Sequence, residues 1–316
     1  MMESMHWPLE NVFLSNSNSV YDPSDPPDIQ LRMHPAAMLR NCCATLKILE
    51  CDSWHGFDCV LKAGTYPAYP QLESLRIKNL DCLNSAPWVI SYPNLKYLSV
   101  KTTCNYIVDT GEQKWKELEK SVGSDVVDLY LLGLPCHIRE IAFSLHSLSL
   151  RFFGPVIATA RPTRLKLSIP TELFTQPIPT YLEDPALTDL ESLVLDVEVW
   201  VGGWRGDDGD TDVDCFLGYV FSALRRVSAR EFTLFLKVGR SQAFPWASDA
   251  VVIGEQDDGS DGSEEEDLSE VEIWANGADL DALVHRFFEE VPSLEWVKLS
   301  IGLPEGDSQK RAESSR

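Results

Sequence analysis

The stretch Tyr69–Ile77, YPQLESLRI, recurs as YPNLKYLSV at Tyr92–Val100, 23 residues further on, and a third copy, VPSLEWVKL, occupies Val291–Leu299. This pattern restricts the fold strongly. Proline cannot continue a helix, and it biases the residue before it toward extended backbone. The first Leu anchors a turn, and the next two apolar positions are two apart, so they share one face of a strand. A strand this short cannot bury its apolar face alone. Stacked in parallel on neighbours of the same design, it forms a continuous core.

With the first position relaxed to any apolar residue or proline, the pattern reappears at Leu9 (LENVFL), Leu46 (LKILEC), Leu72, Leu95, Val126 (VVDLYL), Leu145 (LHSLSL), Pro162 (PTRLKL), Leu190 (LESLVL), Leu268 (LSEVEI) and Leu294. A degenerate copy, EFTLFL, starts at Glu231, and IREIAF at Ile138 competes with Leu145 for one strand. Spacings of 26, 23, 19, 17, 28 and 26 residues bracket the period of about 20–29 of leucine-rich repeats. GEQKWKELEKSVG, with its Glu–Lys pairs and bounding glycines, reads as a helix between the strands at Leu95 and Val126. The expected fold is therefore α/β: a leucine-rich-repeat solenoid, a curved horseshoe with a parallel concave sheet and irregular repeats. It covers residues 1–304, with acidic insertions at 202–214 and 254–270, and 305–316 is expected as a disordered tail. The alternative is an α/β domain whose buried parallel strands are Leu-rich.

The repeats, the Pro-terminated helices and the acidic insertion resemble the leucine-rich-repeat region of fungal F-box proteins. YPQLESLRI, YPNLKYLSV, LTDLESLVLDV and VPSLEWVKLSI carry the likeness, which runs from Leu9 to about Leu303. It implies a non-enzymatic substrate receptor of the cullin-RING ubiquitin ligase type, with the repeats recognising a protein target. The family's F-box, which docks on the ligase adaptor, is not evident. WPLENVFL at Trp7–Leu14 matches only its opening, and polar, Pro-rich SNSNSVYDPSDPPD follows at once. Leu9–Leu14 reads instead as a first repeat strand. A repeat-only scaffold with no ubiquitin connection is the alternative.

The net charge of −22 is concentrated. Glu255–Glu270 holds nine acids and no base, and Asp207–Asp214 holds five more. Such a chain repels phosphate, so no nucleic-acid partner is expected. No run of 18 apolar residues occurs, so no membrane partner is expected either. Eight cysteines without a Cys-x-x-Cys read as reduced, buried thiols, consistent with a cytoplasmic or nuclear chain.

Motifs for chemistry are weak. Cys51, His55 and Cys59 have ligand types at close spacing, but Cys51 falls on an inward strand position and a structural zinc site needs a fourth ligand. In DDGDTDVDCFLG the sixth-position glycine and twelfth-position glutamate of a calcium loop are replaced. No nucleophile elbow, phosphate loop, dinucleotide turn or zinc-protease helix is present. Catalytic residues, metal and cofactors are all expected to be absent, with a hydrolase or metal enzyme a distant third reading. Ser260 and Ser263, among acids, suit acidophilic kinases.

Solenoids bind on the concave sheet. The outward strand positions of the repeats at 72, 95, 126, 145 and 162 include Arg76, Lys78, Lys101, Arg151, Arg164 and Lys166, with Tyr97 and Tyr130 as aromatics and Asp128 as the one acid. A basic stripe on an acidic chain suits an acidic or phosphorylated protein segment. Alternatively the bases neutralise the chain's own acidic loops, making Glu255–Glu270 a tethered competitor. Trp274, Trp296 and Phe235 are expected on the same face of the terminal repeats.

Overall fold

The structure, a computed structural model, describes residues 8–15, 35–52, 67–80, 86–102, 115–134, 136–170, 179–182, 184–201, 212–240, 268–302 and 309–316. It is a mixed α/β chain with a single, mostly parallel sheet of eleven strands, not closed into a barrel. The strands are β1 (Asn11–Leu14), β2 (Ile48–Cys51), β3 (Ser74–Leu80), β4 (Tyr97–Thr102), β5 (Glu117–Asp125), β6 (His137–Ser144), β7 (Arg164–Ile169), β8 (Ser192–Val201), β9 (Glu231–Arg240), β10 (Trp296–Gly302) and β11 (Gln309–Ser315), and they lie side by side in chain order. The chain divides into two compact units, residues 1–167 with 183–191 and residues 168–182 with 192–316.

In the first unit β1 to β6 pair in parallel, one after the next. The register is fixed just after each anchoring Leu. The carbonyl of Glu10 accepts from the N–H groups of both Lys47 (2.7 Å) and Ile48 (3.0 Å). The Lys47 carbonyl does the same for Glu73 and Ser74, that of Glu73 for Lys96 and Tyr97, and that of Lys96 for Glu119 and Lys120. Inward positions alternate with outward ones: Leu75, Ile77 and Leu80 are buried on β3 while Arg76 and Lys78 are exposed. The anchors Leu46, Leu72, Leu95 and Leu118 are buried under the turns, each side chain contributing about 1.5–3 kcal/mol of transfer free energy. An aromatic row lies three residues before the last three anchors. Tyr69 and Tyr92 rings are 5.8 Å apart, and the Trp115 indole N–H donates to the Tyr92 carbonyl at 2.9 Å. The first unit's helices are α1 (Pro35–Met38), α2 (Ala86–Ser91), α3 (Val126–Leu132) and α4 (Phe153–Ala160), the last preceded by a 3-10 turn at Leu150–Phe152.

The second unit carries α5 (Pro179–Leu182), α6 (Val213–Leu224), α7 (Glu270–Gly277) and α8 (Leu280–Glu290). β8, β9 and β10 pair in parallel, and β11 returns antiparallel along β10 from Trp296↔Ser315 to Gly302↔Gln309. Two cations fasten β11 to helix ends. Lys310 donates to the carbonyls of Ala275 (3.1 Å) and Asn276 (2.6 Å) at the close of α7. Arg316 donates to those of Phe288 and Pro292 around the end of α8. Both match the negative end of a helix dipole. Gln309–Ser315 is thus a strand rather than part of a disordered tail.

Three sequence expectations fail in the same way. The described part of Gly111–Gly123, from Trp115 on, is not a helix, and Val126–Leu131 is not a strand: β5 covers Glu117–Asp125 and α3 follows immediately. The apolar run is helical because Asp125 caps it, accepting from the Val127 N–H at 3.0 Å, while Asp128 reaches back to the Asp125 N–H at 2.9 Å. Gly133 then closes it at φ 53°, the backbone that glycine adopts at least cost. Leu145–Leu150 is not a strand either. IREIAF lies in β6, and the Ser149 hydroxyl accepts from the His146 N–H and donates to its carbonyl, making a turn. Leu268–Ile273 opens α7 through a capping box of Ser269 and Glu272. No helix among the described residues is long and apolar enough to cross a membrane.

Candidate recognition surface

The outward strand positions of the first unit make one sheet face, and the predicted residues divide between it and the helical layer. Arg76, Lys78, Tyr97, Lys101, Arg164 and Lys166 are all exposed on β3, β4 and β7. Tyr130 and Arg151 are not on the sheet. Tyr130 lies on α3 with its ring 4.5 Å from that of Phe152, and the Arg151 guanidinium covers the same Phe152 ring at 4.6 Å. Tyr130 lines a shallow apolar groove between α3 and α4, with Leu129, Leu134, Pro155 and Val156. Both residues left the sheet because the segments that carry them are a helix and a turn.

Asp128, expected as the stripe's acid, is 3% exposed. Its carboxylate accepts from the N–H and hydroxyl of Thr102 (2.9 and 2.6 Å), the N–H and hydroxyl of Ser124 (2.7 Å each) and the Asp125 N–H. A buried carboxylate so surrounded is a structural tie between β4, β5 and α3.

The acids that do share the face were missed. Glu50 and Asp52 follow from β2, and Glu140 from β6. Lys78 reaches Asp52 at 2.9 Å and Glu50 at 3.4 Å, and Arg76 lies 3.8 Å from Glu50. Glu140 sits between Lys120 and Arg164, the latter at 3.8 Å. Counting outward positions from Leu46 and Ile138, as from Leu72, finds both carboxylate groups in the sequence. The surface is a cross-strand lattice of mixed charge, and the charges opposite these bases come from neighbouring strands. Lys101 has no ion pair among the described residues.

The pairing shows in the titration of its members. The hydrogen bond from Lys78 holds the Asp52 carboxyl below its usual value, and the same bond raises Lys78 despite some burial. The Tyr97 hydroxyl donates to Glu119 at 2.7 Å, which raises the phenol because ionisation would break that bond. Exposed pairs of this kind add about 0–1 kcal/mol each, so they shape the surface more than they stabilise it.

Three apolar groups break the charge, and one is Ile48, exposed at the start of β2. Phe13 is 55% exposed with the Lys78 ammonium 5.1 Å from its ring, and Tyr97 is 40% exposed. Tyr97 borders a shallow depression with Glu119, Lys120, Arg139, Glu140 and Arg164. In the second unit Phe235 and Trp296 do take outward positions on β9 and β10, where the Trp296 indole donates to Glu313 at 3.2 Å. Trp274 lies on α7 instead.

No group of three or more His, Cys, Asp or Glu side chains that could hold a metal occurs among the described residues. Cys51 is buried, and burial first, with the carboxylates of Asp52 and Glu50, pushes its thiol up to about 12. His55, Cys59, Asp207–Thr211, Ser260, Ser263 and most of Glu255–Glu270 lie outside the described residues. The chain matches no known protein family, no characterised protein and no solved structure.

Proposed function

We propose that this chain is a non-enzymatic protein-recognition module, built as a leucine-rich-repeat solenoid and read through the outward sheet face of its first unit. The observation that carries this reading is that face itself. Across β1 to β7 its strands present charged and aromatic side chains, while the opposite positions are buried beneath the turns and helices. Chain-order parallel pairing, with connections of repeat length, supports the solenoid. Because the cations sit among in-register carboxylates, the preferred target carries both signs of charge with an apolar group for Phe13 or Tyr97. A purely acidic tail is a poorer match.

The F-box likeness extends the proposal to a substrate receptor of the cullin-RING ubiquitin ligase type in the cytoplasm or nucleus. One observation favours the repeat-only scaffold: Asn11–Leu14, within the stretch that matches an F-box opening, is a sheet strand paired with β2. The experiment uses the chain and an Arg76→Glu, Tyr97→Ala variant as baits at two salt concentrations, with captured proteins quantified by mass spectrometry. Partners of the sheet face bind the chain and are lost from the variant, whose circular dichroism is unchanged. Capture of the ligase adaptor by both baits supports the receptor reading, and specific partners without adaptor support the scaffold. Equal capture by the two baits refutes the sheet face as the reading surface.

A further inference from the structure

Across β1 to β6 the residue directly after each anchor alternates in sign, strand by strand: Glu10, Lys47, Glu73, Lys96, Glu119, Arg139; the uncharged Thr163, after Pro162 at the start of β7, ends the row. The shared carbonyls of the first four bind these positions in register, and Glu119 and Arg139 sit between the registered pairs Leu118↔Ile138 and Lys120↔Glu140. Glu10 and Lys47 are 3.0 Å apart, and Glu73 and Lys96 are 3.2 Å apart. The hydrogen bond to Glu73 raises the Lys96 ammonium. With strands about 4.8 Å apart, the row is about 24 Å long.

An alternating row with an even number of charges is its own complement when turned end for end. A two-fold axis between Glu73 and Lys96 sets Glu73 against Lys96 of a second copy, Lys47 against Glu119, and Glu10 against Arg139. Every charge then faces its opposite, which is the condition an isologous contact must meet. A row in blocks of one sign would fail it. The turns nearest that axis add an uncharged centre: Pro70 and Pro93 are exposed, and the Asn94 amide ties them by donating to the Pro70 carbonyl at 2.9 Å. An uncharged centre flanked by complementary charge is the usual anatomy of a contact patch.

We propose that this row docks a second copy of the chain, forming a weak, salt-sensitive homodimer through the side of the first unit where its strands begin. The row meets the sheet face at one end, where Glu119 and Arg139 border the depression beside Tyr97. Within one chain the row already pairs neighbour with neighbour. Across the axis each charge gains a further opposite neighbour, as in a small ionic lattice.

Sedimentation equilibrium of the full chain tests this. At about 0.01 M salt, where the screening length is about 30 Å, the mass rises with concentration toward twice 35.5 kDa, and at about 1 M, where it is about 3 Å, one chain remains. E10R alone and R139E alone are each monomeric at low salt, because each homodimer then has two like-charged contacts. Mixing the two restores the dimer, since the new cation at position 10 faces the new anion at position 139 while native Glu10 faces native Arg139. Neighbour pairing within a chain cannot produce that rescue, because Glu10 precedes β1 and Arg139 lies on β6. If either reversal unfolds the chain, K47E and E119K form the next facing pair for the same mixing test. A monomer at low salt, a dimer that persists in the single variants, or a mixture that stays monomeric overturns the proposal.

Discussion

Gly123 on β5 lies directly beneath Asp128 on α3: a methyl group built on the glycine meets the Asp128 Cβ at 3.2 Å, the Leu129 Cγ at 3.2 Å and the Asp125 carbonyl oxygen at 2.7 Å. The helix starts one residue after the strand ends, so neither can back away. Gly123→Ala therefore overpacks the site. A loss of about 1–3 kcal/mol is expected, read as a lower urea midpoint with an unchanged slope.

Asp128 is the second half of the same joint. Replacing it with Ala removes the acceptor shared by the N–H groups of Thr102, Ser124 and Asp125, which are only partly open to water. Hydrogen bonds to a charged group contribute about 1.5–3 kcal/mol each before relaxation, so the net loss for D128A is expected at about 3 kcal/mol. Hydrogen exchange should rise at Thr102 and Ser124 before it rises at β2 or β3. Uniform loss of protection would count against a local tie.

Arg161 closes α4 at φ 47°, outside the usual range of a side-chain-bearing residue. Its N–H donates to the Ile157 carbonyl at 2.8 Å, so the backbone conformation serves the cap. Left-handed backbone costs a residue with a Cβ about 1–2 kcal/mol, a cost glycine largely escapes. Arg161→Gly should raise stability by up to about 1 kcal/mol, measured by chemical denaturation.

The buried thiols set an alkaline limit. Burial raises Cys51 to about 12 and Cys136 to about 11 from an ordinary 9.0, and it also raises the Tyr69 phenol. Between pH 9 and about 11 the unfolded chain gives up protons that the folded chain keeps. Stability therefore falls as pH rises through that window and is unaffected by these groups below it. Denaturation midpoints at pH 7, 9 and 10.5 test the sign. Iodoacetamide at pH 8 should modify the exposed Cys215 well before Cys51 or Cys136, as read by peptide mass spectrometry.

Strands with a full set of apolar inward residues were legible. β3, β4, β8 and β10 each read from Leu72, Leu95, Leu190 and Leu294 because period-two burial writes itself as Leu-x-Leu or Leu-x-Val. β5 was not. It continues the 23-residue series, with Trp115 and Leu118 following Tyr69, Leu72 and Tyr92, Leu95, but its inward positions are Ser121 and Gly123. Small residues there make room for α3 and erase the apolar signal. The helix signals were present in the same stretch, as Asp125 with Asp128 and then Gly133, and again as Ser269 with Glu272. Triplet counting outweighed them, and each misplaced strand carried its outward residues off the face with it. Tyr130, Arg151, Asp128 and Trp274 were misassigned for that one reason. The acids of the face were legible by the same counting applied to two more repeats.

The antiparallel return of β11 has a bearing on how such a chain can lengthen. A repeat duplicated among β1 to β10 adds one more parallel rung, with the same carbonyl-to-strand register on either side. After β10 there is no free place for one. That margin is filled by a strand running the opposite way and pinned through Lys310 and Arg316 to the ends of two helices. A copy inserted within β1 to β10 therefore meets a parallel edge on both sides, whereas one inserted directly after β10 has to displace β11.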